Sequence, residues 1–275
     1  MAVFRLTQIS DSHLSGRMPQ FSANFDRVCD YIDATRPDLV INSGDVGFDG
    51  PEHGDDLDFA KLRHSALPVD CRYLPGNHDI GDNPTQAGET PSQLVSEANR
   101  DAFLSVFGED RWRFDAAGWC FIGLNSLIMN TDLASEEEQF DWLAAQLSDT
   151  GGRPLALFIH KPLYRDRPLD EELAATAIRY VPVPARARLI EMLHAVDLRL
   201  VASGHVHQRR DYTWRHIRHV WAPSTSFVIS DQKQDSIGIK EVGLVDYTFR
   251  PDGFEVRFVR APGQLDLELY ATLGR

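Results

Sequence analysis

Long apolar runs are missing from this chain. Its longest apolar stretches, such as Leu155–Ile159, are far too short to cross a bilayer. The opening residues, Met1-Ala2-Val3-Phe4-Arg5-Leu6, lack a basic stretch followed by a long apolar one. No secretion signal is therefore expected, and a cytoplasmic location is the default. Cysteine is scarce: Cys29, Cys71 and Cys120 are odd in number, far apart, and form no C-x-x-C pair. That argues against a zinc knuckle and against a disulfide framework, and leaves small buried or inert thiols. Positive charge is also in deficit, with a net charge of −13. An acidic chain is a poor non-specific binder of nucleic acid or of an anionic membrane. No stable nucleic-acid partner is expected, and a DNA-processing nuclease is disfavoured. A phosphate stays within reach only where metal ions reverse the local field. Repeats, low-complexity segments and linkers rich in Pro, Gly or Ser are absent too. Residues 1–275 are accordingly expected to form one domain.

What the chain does have is an alternation of strand-like and helix-like segments. Val3–Ile9, Leu39–Asn42 and Val69–Leu74 read as strands. Between them, Phe21–Ala34 and Leu57–Leu67 read as helices, stopped by Pro37 and Pro68. This β-α-β-α-β order implies a parallel sheet with right-handed crossovers. Further helices are expected over Ser92–Phe107, from an N-cap at Ser135 to Leu147, and over Pro184–Ala195. Further strands are expected over Trp119–Asn125, Leu155–Ile159 and Leu198–Ala202, and Ile80–Thr90 reads as a loop. From 208 to 275 the pattern turns strand-rich, at Asp211–Trp214, Arg218–Ala222, Phe227–Ser230, Gly243–Arg250 and Phe254–Val259. Asp252-Gly253 marks a hairpin between the last two. This region is expected to supply strands of a second sheet or extend the first, ending in a C-terminal tail. Trp112, Trp119 and Trp142 fit core packing.

Five short clusters follow the strand-like runs: Asp11-Ser12-His13, Gly44-Asp45, Gly76-Asn77-His78-Asp79, His160, and Gly204-His205-Val206-His207. In open α/β sheets, sites form outside the carboxyl ends of strands, so residues distant in sequence can meet at one edge. Asp11 and His13 are two apart, as are His205 and His207. In extended chain, such pairs point the same way. Carboxylate, imidazole and the amide oxygen of Asn77 suit Mn²⁺, Fe or Zn²⁺ better than Ca²⁺ or soft metals. Seven such donors are too many for one ion and suit two ions sharing a bridging carboxylate.

Together the clusters resemble the calcineurin-like metallophosphoesterase family, and more narrowly its compact bacterial branch of cyclic-nucleotide and glycerophosphodiester phosphodiesterases. The match runs from about Leu6 to His207, and the tail after about Thr225 adds little to it. The resemblance implies an α/β fold in which two β-sheets form a sandwich flanked by helices, in four αββα layers. It implies that Asp11, His13 and His207 hold one metal ion, that Asn77, His160 and His205 hold a second, and that Asp45 bridges them. Mn²⁺ or Fe is favoured, with Zn²⁺ and Co²⁺ compatible. His78 would face the substrate as proton donor or phosphate contact. The implied reaction is hydrolysis of a small phosphodiester by a hydroxide bridging the two ions, which lower the pKa of water to ~7. Relatives often assemble as dimers or larger, so self-association is compatible with the resemblance.

Two alternatives share these residues: a phosphomonoesterase, and a silent binding or scaffold protein. The latter would be expected to have lost a donor or His78, and none is missing. The loops Ile80–Phe107 and Lys161–Val183 are expected to choose between mono- and diester. Many relatives carry a second histidine after the fourth cluster, where this chain has His160-Lys161-Pro162. Lys161, Arg165 and Arg167 either contact substrate phosphate or form a solvated basic loop, and Arg209 and Arg210 raise the same question. His53, His64, His194, His216 and His219 read as surface or satisfied polar groups, with His53, in a loop eight residues after Asp45, the one to watch near the pocket rim. Asp79 is expected to orient a neighbouring histidine.

Overall fold

The computed structural model describes residues 2–84, 94–168 and 178–274. In chain order the first half runs β1 (Phe4–Ile9), α1 (Pro19–Thr35), β2 (Leu39–Asn42), α2 (Asp55–His64), β3 (Cys71–Tyr73), α3 (Asn77–Ile80), α4 (Glu97–Phe107), β4 (Trp112–Ala116), β5 (Trp119–Leu124) and α5 (Ala134–Ser148). Then follow β6 (Leu155–Ile159), α6 (Val183–Leu193), β7 (Leu198–Ser203), β8 (Arg210–Trp214), β9 (Ile217–Trp221), β10 (Leu244–Arg250), β11 (Gly253–Val259) and α7 (Leu269–Thr272).

The strands form two mixed sheets, in the orders β11-β10-β1-β2-β3 and β4-β5-β6-β7-β9-β8. Side chains alternate across a strand, so a strand buried on both faces reads as an unbroken apolar run. Strand β6 shows this: Ala156 and Phe158 point into the core between the sheets, while Leu155, Leu157 and Ile159 pack under the outer helices. That outer layer uses Phe140 and Leu143 of α5 and Leu189 of α6. On the other side, Phe25, Val28 and Ile32 of α1 cover Val40 of β2, together with Phe103 of α4. Helix, sheet, sheet and helix therefore stack as four layers.

Strands β1, β2 and β3 are mutually parallel, as are β5, β6, β7 and β9. Within each sheet, parallel pairing puts carboxyl ends at one edge. Chain reversal at these edges is stitched by backbone bonds: Asp11 N–H donates to Gly44 O (2.9 Å), and Gly204 N–H to His160 O (2.9 Å).

Several expectations need correcting. Strand β4 was missed because it is a short, charged edge strand. It joins β5 through Ala117 and Gly118, both at positive φ (47° and 82°), as a two-residue hairpin turn requires. Ser135 is not the N-cap of α5. The helix starts at Ala134 with Leu133 as its N-cap, and Ser135 N–H donates to Glu97 Oε1 (3.0 Å). Phe227–Ser230 is not a strand; it touches the C-terminal segment through one bridge, Val228 with Glu268. The last hairpin turns at Pro251-Asp252, because Gly253 already pairs with Arg250. After 208, β8 and β9 join the six-stranded sheet and β10 and β11 the five-stranded one. The expected Ser92–Phe107 helix begins at Glu97, and residues 92 and 93 lie outside those described. Trp112 and Trp119 are buried as expected, and Trp142 is partly so.

Candidate metal centre

All five clusters meet at the carboxyl ends of β1, β2, β3, β6 and β7. The paired residues do not share a face by extended geometry, as the spacing suggests. Asp11, His13, Asp45, His205 and His207 all adopt left-handed backbone, with φ between 46° and 67°. Such conformations cost about 1–3 kcal/mol each in non-glycine residues and persist where surroundings over-determine them. Here they turn successive side chains back toward one point. Close approach of the loops also fixes two glycines. A Cβ on Gly44 would lie 2.3 Å from His160 Nδ1, and one on Gly76 would lie 2.1 Å from Asp45 Oδ1.

Two groups of donors result. Asp11, His13, Asp45 and His207 form one, and Asp45, His160 and His205 the other. In the first, His207 Nε2 lies 3.3 Å from Asp11 Oδ1 and 3.0 Å from His13 Nε2, and His13 Nε2 lies 3.7 Å from Asp45 Oδ2. In the second, His160 Nε2 lies 3.4 Å from Asp45 Oδ2, 3.1 Å from His205 Nδ1 and 3.4 Å from Asn77 Oδ1. Asp45 Oδ2 thus faces both groups.

The surroundings leave the inward atoms as acceptors. His160 Nδ1–H donates to Ser43 O (2.9 Å), His207 Nδ1–H to Phe227 O (3.0 Å) and His205 Nε2–H to Ile178 O (3.2 Å). The opposite ring nitrogen of each then faces inward and offers a lone pair to a cation once it gives up any proton it carries. Asp45 Oδ1 accepts from His78 N–H (2.8 Å), and Asp11 Oδ2 from His205 N–H (3.0 Å). Asp11 Oδ1 is buried with no hydrogen-bond partner, as is His13 Nδ1. Buried lone pairs facing one another beside carboxylates call for a cation between them. The set of carboxylate, imidazole and amide donors fits divalent first-row metals.

Without a cation, burial and the carboxylates divide the four rings. Burial and the neighbouring positive rings push His13 and His205 well below the usual imidazole range. Burial acts the same way on His160, but the Asp45 carboxylate outweighs it and holds His160 up at about 9. Asp11 likewise raises His207 against its burial. Burial would raise Asp45, yet the flanking His160 and His78 hold it well below the carboxylate range.

His78 stands apart from the donors. Its Nδ1–H donates to Phe48 O (2.6 Å), which aims the other nitrogen away from that carbonyl, and its ring meets His13 edge-on at 4.6 Å. It lines a cleft of about 490 Å³ over the two groups.

Other expected residues behave differently. Asp79 orients backbone, not a histidine. Its oxygens accept from Val46, Gly47 and Gly76 N–H (3.1, 2.8 and 2.8 Å), bracing the second cluster against the third. Burial and the nearby Asp45 raise it to about 7. Lys161 is neither a phosphate contact nor a solvated loop residue. It is 0% exposed and its ammonium pairs with Asp82. Arg165 and Arg167 are exposed, with Arg165 paired to Asp166. Arg209 pairs with Glu241 (2.9 Å) and lies over Phe258, while Arg210 pairs with Asp166 (2.6 Å). His53 is exposed and is not among the described residues lining the cleft. His64 and His219 are not surface groups: both are buried and held neutral, at about 3, with Asn42 and Tyr164 as respective polar neighbours.

One side of the cleft is lined by residues outside all five clusters. Phe48, Phe227, Ile229, Leu269, Tyr270 and Leu273 form an apolar wall, with Arg179 and Lys233 beside it. No motif marks these residues; the only signal is an apolar face at Leu269, Tyr270 and Leu273. Of the two loops expected to face substrate, residues 85–93 and 169–177 lie outside those described.

Fold and site together define a metal-dependent phosphoric ester hydrolase. The calcineurin-like phosphoesterase family matches residues 4–209, and the chain belongs to it. Members of this family use a dinuclear metal centre. A 3′,5′-cyclic-nucleotide phosphodiesterase of Nostoc sp. is 26% identical over 248 residues, covering 82% of this chain and 80% of the relative. A glycerophosphodiester phosphodiesterase of Enterobacter lignolyticus is 31% identical over 136 residues, covering 46% of this chain and 42% of the relative. Among solved structures, a dimetal phosphatase from Danio rerio shares the fold, with a TM-score of 0.64 at 13% identity over 97% of this chain and 98% of that one. Among the described residues, no helix is long and apolar enough to cross a membrane.

Proposed function

We propose that the protein hydrolyses a small phosphodiester, of the cyclic-nucleotide or glycerophosphodiester type. The observation that carries this reading is the pair of donor groups sharing Asp45, with His78 beside them in the cleft but outside both sets. Similarity to two diesterases supports it over a monoesterase.

In this reading Asp11, His13 and His207 hold one ion, Asn77, His160 and His205 the other, and Asp45 both. Mn²⁺ or Fe is favoured over Zn²⁺ and Co²⁺. Bound there, the ions would lower the pKa of water and neutralise charge on the phosphate oxygens. The protein's own part is positional. Carbonyls of Ser43, Phe227 and Ile178 hold the three imidazoles in the donor tautomer. The Phe48 carbonyl holds His78 Nδ1–H, so Nε2 is the nitrogen left to face the ester, and in the doubly protonated imidazolium form it would deliver its proton to the leaving alkoxide. Residues 1–275 act as one catalytic domain. The charge of −13 supports an occupant recognised locally rather than a nucleic-acid partner, and a cytoplasmic setting is part of the same reading.

The test is turnover of bis(p-nitrophenyl) phosphate by the purified, Mn²⁺-loaded protein, compared with p-nitrophenyl phosphate. Faster turnover of the diester is expected. Preference for the monoester would make the protein a phosphomonoesterase, and inactivity of folded, metallated protein on every ester would leave a binding role.

A further inference from the structure

The cleft has two unlike sides. One carries the metal donors and His78; the other is the apolar wall, most of which lies beyond the family-matched residues 4–209. That wall is built rather than draped. Val228 N–H donates to Leu267 O (2.8 Å), and Leu269 N–H donates back to Val228 O (3.0 Å). The Glu268 carboxylate accepts from Ser230 N–H (3.2 Å) and caps α7 by accepting from Ala271 N–H (2.6 Å). The wall is also joined to the centre: Phe227 O accepts from His207, and the Phe227 ring lies 4.8 Å from the rings of both His13 and His207.

We propose that this wall, with Tyr270 as its stacking face, receives the organic group of the ester, and that it takes a flat aromatic group such as a purine in preference to a small polyol. This rests on the reading of the site as a phosphodiesterase. A polyol would leave the half-buried Ile229, Leu269 and Leu273 facing water, whereas a purine buries them and stacks on the phenol ring. A cleft of about 490 Å³ also accommodates a whole nucleotide. Lys233 completes the subsite. Its ammonium lies over one face of the Tyr270 ring, 4.9 Å from the centroid, so the base would stack on the opposite face, with a positive charge at the subsite on a chain of net charge −13. An anionic ester is drawn to that side of the cleft.

The test uses two ligands and two readouts on Mn²⁺-loaded protein: calorimetric binding of adenosine 5′-monophosphate and of glycerol 3-phosphate, and turnover of 3′,5′-cyclic AMP and of glycerophosphoethanolamine. The wild type is expected to bind the nucleotide at least about tenfold more tightly, as one stacked base allows. Tyr270→Ala should lower that preference about tenfold, and Tyr270→Phe should keep it, since the ring and not the hydroxyl is used. Leu273→Ala, at a separate point of the wall, should lower it by a smaller factor. Equal binding of the two ligands by wild type, or an unchanged preference in Tyr270→Ala, overturns the proposal. If neither diester is turned over while the nucleotide preference and its loss in Tyr270→Ala persist, the phosphodiesterase reading fails and the subsite stands. If diesters are turned over without that preference, the reverse holds.

Discussion

The two sides of the cleft are made in opposite ways. The metal side consists of strand-end loops that are almost fully buried, held in left-handed backbone and bonded to one another. Apart from Phe48, the wall consists of an irregular run and a single helical turn, half-exposed beyond the buried Phe227. The first sort of construction suits chemistry, where donor atoms must be held to a few tenths of an ångström whether or not a ligand is bound. The second suits recognition, where a surface has only to match the shape and polarity of a substrate. Reaction and substrate choice therefore rest on different parts of the chain, and each part should be breakable without the other.

Loss of Asp45 should break the metal side most completely, because its Oδ2 faces both donor groups. Asp45→Asn keeps the size and an acceptor oxygen for His78 N–H but removes the charge. Activity is expected to fall by about 10³-fold or more, as the charge stabilisation of both ions is lost together. Metal analysis of the folded variant should show fewer than two ions per chain. A variant that retained both ions would show that Asp45 does not bridge.

His78→Ala should act on the chemical step alone. Its side chain belongs to neither donor group, so metal content should match wild type. The rate on an alkyl diester should drop about 10²–10⁴-fold, the range for a positioned general acid. The loss should shrink for a p-nitrophenyl leaving group, which departs without a proton. Equal losses on both substrates would assign His78 to phosphate binding instead.

The contrast between the two sides also explains how much could be read in advance. Strands such as β2 and β6 are buried on both faces, so they read as largely apolar runs, with Asp45 three residues beyond the first and His160 directly after the second. The centre was legible because each of its parts carries distinctive chemistry at a strand end. Backbone conformation was not: nothing in Asp11-Ser12-His13 announces two left-handed residues. Nor was the fate of Lys161, whose neighbours Arg165 and Arg167 suggest a basic loop but whose ammonium is sunk against Asp82, 79 residues away in sequence. The wall was least legible of all. Its members are ordinary apolar residues, drawn together by contacts between segments far apart in sequence, such as the Val228–Glu268 bridge.

A smaller effect sharpens the metal side through pH. In the metal-free protein, Asp45 holds His160 protonated up to about 9, whereas Asp45 itself stays ionised because its own pKa is depressed. An incoming ion must displace the His160 proton, since only the neutral ring donates. Below that value each unit of acid should weaken binding by up to about tenfold through this one histidine. Mn²⁺ titrations at several pH values should show affinity rising with pH and levelling near 9. A flat profile would remove His160 from the donor set.

The smallest expected effect probes the wall. Glu268 ties its two segments together, since its carboxylate accepts from Ser230 on one and Ala271 on the other. The bond from Ala271 N–H, with help from Ser230, lowers the Glu268 pKa. A depressed carboxylate stabilises the folded wall above its ordinary pKa, and that support fades as pH falls through the depressed value. Glu268→Ala removes the tie at every pH. Because the side chain is a helix cap at the surface, the cost should be modest, about 1 kcal/mol or less. Both segments would stay in place through the backbone bonds of Val228, but Tyr270 would be held less firmly. The expected result is a two- to fivefold rise in KM for 3′,5′-cyclic AMP, roughly what that energy allows. The number of bound metal ions should stay at the wild-type value. A drop in metal content would mean that the wall reaches the centre through Phe227 O and His207, and that the two sides are less separable than their construction implies.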